Sequence, residues 1–150
     1  MVCLGNICRS PMAHGLLQHK ISALKLGWEI DSAGTSSYHK GELPDSRAIA
    51  CMKRHGIDIT YQRSRPITLA DLRYYDLVFV MDRSNLSDVN EMAGTQDELE
   101  KISLIMGLCD KQKQEDVPDP WYGPGEQGFE RVYEMLDRAT DCLIEKYGGE

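Results

Sequence analysis

The sequence predicts an α/β domain, and three features indicate it. A dense apolar run, Leu77-Val78-Phe79-Val80-Met81, is typical of a central strand in a parallel sheet. The chain begins with a short apolar segment, a loop containing Gly5 and Asn6, and a helical pattern, which together form a strand-loop-helix unit. Further helical patterns alternate with short apolar runs, which favours helices packed on a sheet.

The first predicted helix follows the opening loop. Ser10 and Pro11 suit its N-cap and its first helical position, and it ends before Gly27. Its apolar residues recur with the 3.6-residue period of a helix that packs on one face, and they are Met12, Ala13, Leu16, Leu17, Ile21 and Leu24.

A second strand and a second helix are predicted next. The strand covers residues 28–33, and a polar loop over residues 34–41 follows it at the rim of the sheet. The helix is capped by Asp45 or Ser46 and runs to His55.

Three further helices and the last strand are predicted in the second half of the chain. A short one covers residues 68–74, and another begins at Asp82 or Ser84 after the central strand. Residues 92–98 form a surface connection, and the last strand covers residues 101–105. A long closing helix is predicted from the apolar stripe Phe129, Val132, Tyr133, Leu136, Leu143, Ile144 and Tyr147.

Composition limits the functional classes. The chain has 150 residues, enough for one domain over residues 1–150 with a substantial core. Its net charge of −7 argues against nucleic acid or an anionic membrane as the main partner, because either would require a basic face. No run approaches the length of a membrane span, so we expect a cytoplasmic protein.

Five cysteines without framework spacing fit a reducing compartment. We expect Cys51, Cys109 and Cys142 to be small core residues. Cys51 and His55 are one helical turn apart, a spacing that could hold a metal ion, but two ligands do not make a site. A structural interpretation of this pair is therefore favoured.

The segment Cys3-Leu4-Gly5-Asn6-Ile7-Cys8-Arg9-Ser10 predicts a phosphate-binding loop with a thiolate at its floor. Small or adaptable residues allow consecutive backbone amides to point inward, and the helix that follows adds positive potential from its N-terminus. Both effects favour a thiolate at Cys3 at neutral pH. Arg9 can hold two phosphate oxygens with its planar guanidinium.

The same pattern of cysteine, arginine and hydroxyl can also arise by chance in a chain with five cysteines. The strand-loop-helix context favours the functional interpretation. Only Met1 and Val2 precede Cys3, whereas such a loop normally follows a full strand. Either Met1 is an internal methionine of a longer natural chain, which we favour, or the first strand is shortened at its N-terminal end; the intact mass of the natural protein distinguishes them.

Two other positions are candidates for the site. Asp119 lies between Pro118 and Pro120, which suits a carboxyl group held on a stiff loop, although an ordinary turn aspartate would look the same. Tyr38, in the rim loop, could meet the ring of a substrate or could be an ordinary exposed tyrosine.

Four segments together resemble one known family. They are Val2-Cys3-Leu4-Gly5-Asn6-Ile7-Cys8-Arg9-Ser10-Pro11, Asp31-Ser32-Ala33-Gly34-Thr35-Ser36, Met81-Asp82-Arg83-Ser84-Asn85-Leu86 and Asp119-Pro120-Trp121-Tyr122-Gly123. The chain resembles the low-molecular-weight protein tyrosine phosphatases. This resemblance implies a three-layer fold with a four-stranded parallel sheet and helices on both faces, no metal or other cofactor, and hydrolysis of phosphotyrosine through a phosphocysteine.

The resemblance also implies roles for the loop and its neighbours. Cys3 would attack phosphorus, Arg9 and the amides of residues 4–9 would hold the oxygens, and Asp119 would protonate the leaving phenolate. Ser10 would donate its hydroxyl to the Cys3 sulfur.

Supporting roles follow from the same resemblance. Asn6 would adopt a left-handed conformation and tie the loop to Ser10 and Ser32. Family members often have a histidine near position 61, where this chain has Tyr61. Cys8 either forms a disulfide with Cys3 on oxidation or is a small core residue.

The side chains around the loop indicate the substrate. Ile7, Tyr38, Trp121 and Tyr122 would line an apolar slot for a phenyl ring. Related arginine phosphatases tend to carry threonine in place of Ile7, and related arsenate reductases need cysteines near residues 82–92, where this chain has none.

We therefore expect phosphotyrosine proteins as partners, without nucleic acid or membrane, and a monomer that at most self-associates weakly. A binding module that recognises phosphotyrosine without hydrolysing it is the alternative. The presence of Cys3, Arg9 and Asp119 together argues against that alternative, because binding alone needs neither a thiolate nor an acid.

Overall fold

The short apolar runs of the sequence form a four-stranded sheet in which all neighbouring strands are parallel, in the order β2-β1-β3-β4. The computed structural model describes residues 1–123 and 125–149. Val2 is aligned with Ala33 on one side and with Val80 on the other, so β1 is an inner strand. The strands are β1 (Val2–Cys3), β2 (Ala33–Gly34), β3 (Val78–Val80) and β4 (Ile102–Leu104).

Helices follow the strands along the chain, and most begin where capping residues predict. Asp45 caps the second helix by accepting a hydrogen bond from the Arg47 amide, and Asp82 caps the fourth by accepting one from the Asn85 amide. The α-helices are α1 (Arg9–Leu24), α2 (Ser46–Arg54), α3 (Leu69–Tyr74), α4 (Arg83–Met92), α5 (Gln96–Glu100) and α6 (Glu126–Tyr147). Short 3₁₀ helices cover Ile105–Leu108 and Pro120–Tyr122.

The sheet has a separate apolar core on each face. Phe79 packs into the core formed with α1, α2 and α6, whereas its neighbours Val78 and Val80 pack into the core with α3 and α4. This division follows from the period of two in a strand, which sends successive side chains to opposite faces. The predicted three-layer α/β fold with helices on both faces is confirmed.

Some predicted boundaries are wrong. Residues 28–32 are not a strand. The second strand is limited to Ala33–Gly34, the two residues that are aligned with β1. A cavity of about 660 Å³ lies beside residues 28–32 and is also lined by Met1. The surface connection predicted over residues 92–98 contains the start of α5, and Leu24 is 56 % exposed instead of packed. Among the helices in the described ranges, none has an apolar stretch long enough to cross a membrane.

The cysteine prediction is right for one of its three residues and wrong for the other two. Cys51 is a fully buried core residue, as predicted, and it is a free thiol. Cys109 and Cys142 are instead half-buried and joined in a disulfide, with their Cα atoms 5.4 Å apart. The bond links the end of the segment after β4 to α6.

We expect the disulfide to stabilise the fold by restricting the conformations of the unfolded chain. It closes a loop between positions 33 residues apart, for which chain entropy predicts a contribution of about 3–4 kcal/mol. Cys142→Ser should lower the free energy of unfolding by up to about that amount in urea titrations without reductant. With reductant present, the native protein and the variant should unfold alike; a difference that persists there would show that the substitution itself disturbs packing.

Candidate active site

The loop between β1 and α1 lies at the carboxyl end of an inner strand, where parallel sheets place their binding sites. Its turn depends on Asn6, whose φ of 56° lies in the left-handed region. Gly5 does not have a positive φ. Glycine is favoured at this position because a Cβ there would lie 3.1 Å from the His39 ring. The next element, α1, begins at Arg9, one residue before the predicted N-cap at Ser10.

The Cys3 sulfur is buried and receives hydrogen bonds. The Asn6 backbone amide donates to it at 3.3 Å, and the Ser10 hydroxyl oxygen lies 3.1 Å from it. The Ser10 oxygen itself accepts from the Asn6 side-chain amide at 2.8 Å. The hydroxyl proton of Ser10 can point at the sulfur, at 3.1 Å, or at the more distant Ala33 carbonyl, at 3.4 Å. When it points at the sulfur, two donors converge on Cys3 and stabilise negative charge there.

The Asn6 side chain orients this arrangement. Its oxygen accepts from the Arg65 amide at 3.0 Å, and its nitrogen donates to Ser10 and, at 3.0 Å, to the Ser32 hydroxyl. All the polar atoms of the Asn6 side chain are thus satisfied by neighbours from three separate segments, which holds the loop in one conformation. The structure contains both of the Asn6 contacts that the family resemblance implies.

His14, from α1, joins this network and packs against Tyr61. Its Nδ1 lies 3.4 Å from the Ser32 hydroxyl, and its ring meets Tyr61 edge-on, with the centroids 5.7 Å apart. The Gln62 side chain extends the network by accepting from Ser32 and donating to the Pro11 carbonyl. Sequence reasoning missed His14, and its place on the buried face of α1 was the available signal.

His14 should make the protein acid-labile. Burial lowers the pKa of His14 from 6.5 to about 4, so the folded protein keeps this ring neutral. The unfolded chain binds the proton below about pH 6.5, and stability is lost as the pH falls from there towards 4, by up to about 3 kcal/mol.

Urea unfolding of the native protein and of His14→Gln between pH 7 and pH 4.5 measures this effect. The variant should lose less stability than the native protein over that range. His19→Gln, at an exposed position on the same helix, is the matched control for replacing a histidine by glutamine. An identical pH dependence in His14→Gln would contradict the assignment.

The remaining amides of the loop are available to an anion. Within the described part of the chain, the amides of residues 4, 5, 7, 8 and 9 donate no hydrogen bond to another protein group. Cys8 is the N-cap of α1 and Arg9 is its first residue, and amides at this end have no partner within the helix. Loop amides and a helix N-terminus at one place form an anion-binding site.

Arg9 is 2 % exposed, and its guanidinium is held on one side. One terminal nitrogen donates to Asp82 at 2.6 Å and to the Val117 carbonyl at 3.0 Å. The other lies 3.6 Å from an Asp119 oxygen. Burial by itself would lower the pKa of Arg9, but the negative charges of Cys3, Asp82 and Asp119 outweigh it and raise that pKa, so Arg9 keeps its charge.

Two carboxylates accompany Arg9, and sequence reasoning assigned a role at the site to only one of them. Asp119 is held at the start of a 3₁₀ turn, where its other oxygen accepts from the Trp121 amide at 3.0 Å. Asp82 was predicted only as a helix cap, yet it both caps α4 and holds Arg9. The signal for Asp82 was its position two residues after β3, because the carboxyl ends of β1 and β3 meet at the same edge.

Three of the four side chains predicted to line the substrate slot are exposed to solvent, and the fourth is buried. Tyr38 and Tyr122 are 86 % and 81 % exposed, and Trp121 is 43 % exposed. Ile7, predicted in the same wall, is buried in the core instead, at 7 % exposure. His39, which was not predicted, lies between Tyr38 and Trp121, with ring centroids 4.8 Å and 5.9 Å away.

The two cysteines of the loop differ. Both Cys3 and Cys8 are free thiols. Burial raises the pKa of the Cys8 thiol, and the nearby Asp45 carboxylate adds to the shift, so Cys8 stays protonated. Cys8 packs among core side chains, and its redox role stays a prediction.

Fold and site together place the chain among the α/β proteins that carry an anion-binding Cys-x5-Arg loop at the carboxyl end of a parallel sheet. A sequence model of the family described as "Low molecular weight phosphotyrosine protein phosphatase" matches residues 1–149. The protein of that name from Gallus gallus is 40 % identical over 147 residues, which cover 97 % of this chain and 92 % of the relative. The chain therefore belongs to the low molecular weight phosphotyrosine protein phosphatase family.

Solved structures agree with this assignment. A protein tyrosine phosphatase from Entamoeba histolytica with Hepes in its active site matches with a TM-score of 0.91 and 38 % identity, covering 99 % of this chain and 94 % of the other. A Drosophila arginine phosphatase matches with a TM-score of 0.89 and 33 % identity, covering 97 % and 94 %. The same fold thus carries phosphatases that are named for different phosphorylated residues.

Proposed function

We propose that this protein hydrolyses phosphotyrosine in proteins, and small aryl phosphates, through a phosphocysteine intermediate. The observation that supports it most directly is the convergence of three groups at one loop: a sulfur with two hydrogen-bond donors, free amides at a helix N-terminus, and the Arg9 guanidinium. This combination suits a phosphate dianion and a nucleophile beneath it.

The first chemical step transfers the phosphoryl group to Cys3. The thiolate attacks phosphorus in line, the bond from phosphorus to the tyrosyl oxygen breaks, and Asp119 gives its proton to the departing phenolate. Arg9 and the loop amides hold the three equatorial oxygens as negative charge shifts onto them. Phosphocysteine and a free tyrosine side chain are the products of this step.

The second step returns the enzyme to its starting state. Asp119, now ionised, takes a proton from water, whose oxygen attacks phosphorus and breaks the bond from sulfur to phosphorus. The products are inorganic phosphate and the Cys3 thiolate. The Ser10 hydroxyl, 3.1 Å from the sulfur, stabilises the thiolate as nucleophile in the first step and as leaving group in the second.

The side chains around the loop support an aryl leaving group. Trp121 and His39 present ring surfaces next to the loop, and Arg47 stacks over Trp121 at 5.2 Å and holds it in place. Tyr38 and Tyr122 are free to close over a substrate ring.

We propose a cytoplasmic, monomeric enzyme, because the nucleophile has to remain a reduced thiol and the proposed partners are phosphotyrosine proteins. In such a compartment the disulfide between Cys109 and Cys142 would be open to reduction.

A trapping experiment tests the proposal. The native protein is mixed with p-nitrophenyl phosphate, quenched in acid within the first turnover, and digested for mass spectrometry. We expect p-nitrophenol release together with one added phosphoryl group on the peptide that contains Cys3, and neither in Cys3→Ser. Phosphate binding without turnover would select the binding module, and faster hydrolysis of a phosphoarginine peptide than of a phosphotyrosine peptide would select the arginine substrate.

A further inference from the structure

A second cluster of chemically reactive side chains lies between α2 and α6. Cys51 lies on α2, and His55, four residues later, is the C-cap of that helix. The structure brings to them a third residue, Glu130 of α6, which is 75 positions from His55. One ligand atom from each of the three lies within 4.8 Å of the others. The sequence spacing of Cys51 and His55 suggested a metal site that lacked a third ligand, and Glu130 supplies it.

We propose that Cys51, His55 and Glu130 bind a Zn²⁺ ion with three protein ligands and a water molecule. A thiolate, an imidazole and a carboxylate together form a donor set that suits zinc, since calcium and magnesium take oxygen ligands. With bonds of about 2.0–2.3 Å, ligand atoms in a tetrahedral zinc site are about 3.3–3.6 Å apart.

The distances in the structure are close to those that zinc requires. The Cys51 sulfur lies 3.4 Å from one Glu130 oxygen, and the His55 Nε2 lies 2.8 Å from the other. Binding requires one Glu130 oxygen to face both the sulfur and the imidazole nitrogen. The three ligand atoms, which lie within 4.8 Å of one another, then move to tetrahedral separations by side-chain rotation.

The neighbours of the three ligands hold them in place. The His55 ring stacks on Tyr133 with centroids 3.6 Å apart and planes 8° apart, which sets the direction of its nitrogen. Arg54 donates to one Glu130 oxygen at 2.9 Å, while the other Glu130 oxygen contacts the His55 ring, so Arg54 can act as an outer partner that orients the carboxylate. Arg54 is partly exposed, so its guanidinium can also turn into water when the cation binds.

Zinc binding replaces one proton. The Cys51 thiol donates its proton to Glu130 in this structure. On binding, the sulfur–hydrogen bond is lost, a sulfur–zinc bond forms, and the proton passes to solvent without any change of oxidation state. The ion then joins the C-terminal half of α2 to the first turns of α6, so its role is to stabilise the packing of these two helices.

Cobalt substitution tests the site, because Co²⁺ reports a thiolate ligand and four-coordinate geometry in its visible spectrum. We expect the reduced native protein to bind one Co²⁺ with a thiolate-to-metal charge-transfer band, which Zn²⁺ displaces. Cys51→Ser should lose the band, whereas Cys3→Ser and Cys142→Ser should keep it. A native protein without the band at saturating Co²⁺, a band that survives Cys51→Ser, or one that disappears in Cys3→Ser would each overturn the proposal.

A calorimetric titration with Zn²⁺ provides the second measurement. His55→Gln and Glu130→Gln change partly exposed side chains, so both variants should fold, and each should bind Zn²⁺ at least about tenfold more weakly than the native protein. At the same Zn²⁺ concentration, the rise in melting temperature should be larger for the native protein than for His55→Gln. Equal affinity and an equal rise in the native protein and both variants would contradict the site.

Discussion

Arg9→Lys is expected to lower turnover by about 10³-fold or more, although it keeps the positive charge. One terminal nitrogen of Arg9 is already engaged by Asp82 and by the Val117 carbonyl, at 2.6 Å and 3.0 Å. The remaining donors of the planar group can therefore hold phosphate oxygens while the group stays anchored. A lysine has one nitrogen on a flexible stem, and it cannot serve both the anchor and two phosphate oxygens.

Steady-state kinetics with phosphotyrosine and with p-nitrophenyl phosphate measure this effect as kcat and kcat/KM. Arg73→Lys is the matched control. Arg73 is an exposed residue of α3, and its ion-pair partner is Glu98, which does not belong to the site. We expect the control to retain native activity and the Arg9 variant to retain native secondary structure. Near-normal kcat in Arg9→Lys would mean that charge alone suffices and that the two-oxygen clamp is misassigned.

Asp119→Ala is expected to lower turnover of phosphotyrosine by about 10²–10⁴-fold. The phenolate of tyrosine needs a proton as it leaves, whereas p-nitrophenolate does not, so the loss on p-nitrophenyl phosphate should be clearly smaller. The carboxylate lies 3.6 Å from Arg9, close enough to reach a leaving oxygen on a phosphate held there. Rates across a series of aryl phosphates should depend more steeply on the leaving group in the variant than in the native enzyme.

Two further variants separate proton transfer from loop structure. Asp119 also accepts a hydrogen bond from the Trp121 amide, which Asp119→Asn can preserve while losing the acid. We expect Asp119→Asn to be as inactive as Asp119→Ala on phosphotyrosine. Asp116→Ala, on the same loop but bonded to the Arg83 amide, should stay near native activity. Equal losses of Asp119→Ala on both substrates, or an active Asp119→Asn, would remove Asp119 from the acid role.

The loop itself could be predicted because its parts are close in sequence. Cys3, Asn6, Arg9 and Ser10 lie within eight residues, and a short turn between a strand and a helix brings them together with few alternatives. Element types were also predictable where the apolar period was strong, as in α1, α6 and β3. The strand predicted over residues 28–33 was wrong at most of its positions, because strand formation depends on a neighbour that local sequence does not reveal.

Contacts between distant segments were the part that could not be predicted. His14, His39 and Asp82 each contact or approach the site through neighbours far from them in sequence. The disulfide between Cys109 and Cys142 spans 33 positions. In the sequence, these two cysteines could not be distinguished from cysteines that are small core residues. Glu130, like other surface glutamates in sequence, becomes a candidate ligand only when α6 packs beside α2.

The amino-acid sequence alone determined the α/β class, the composition of the anion-binding loop and the pairing of a cysteine with an arginine. These features depend on hydrophobic period and on backbone geometry over a few residues, both of which are local. Only the tertiary structure decided that Asp82 anchors Arg9, that Ile7 faces the core, and that Cys51 and His55 have a third partner. Strand register and helix packing set those distances, and both result from burial summed over the whole chain.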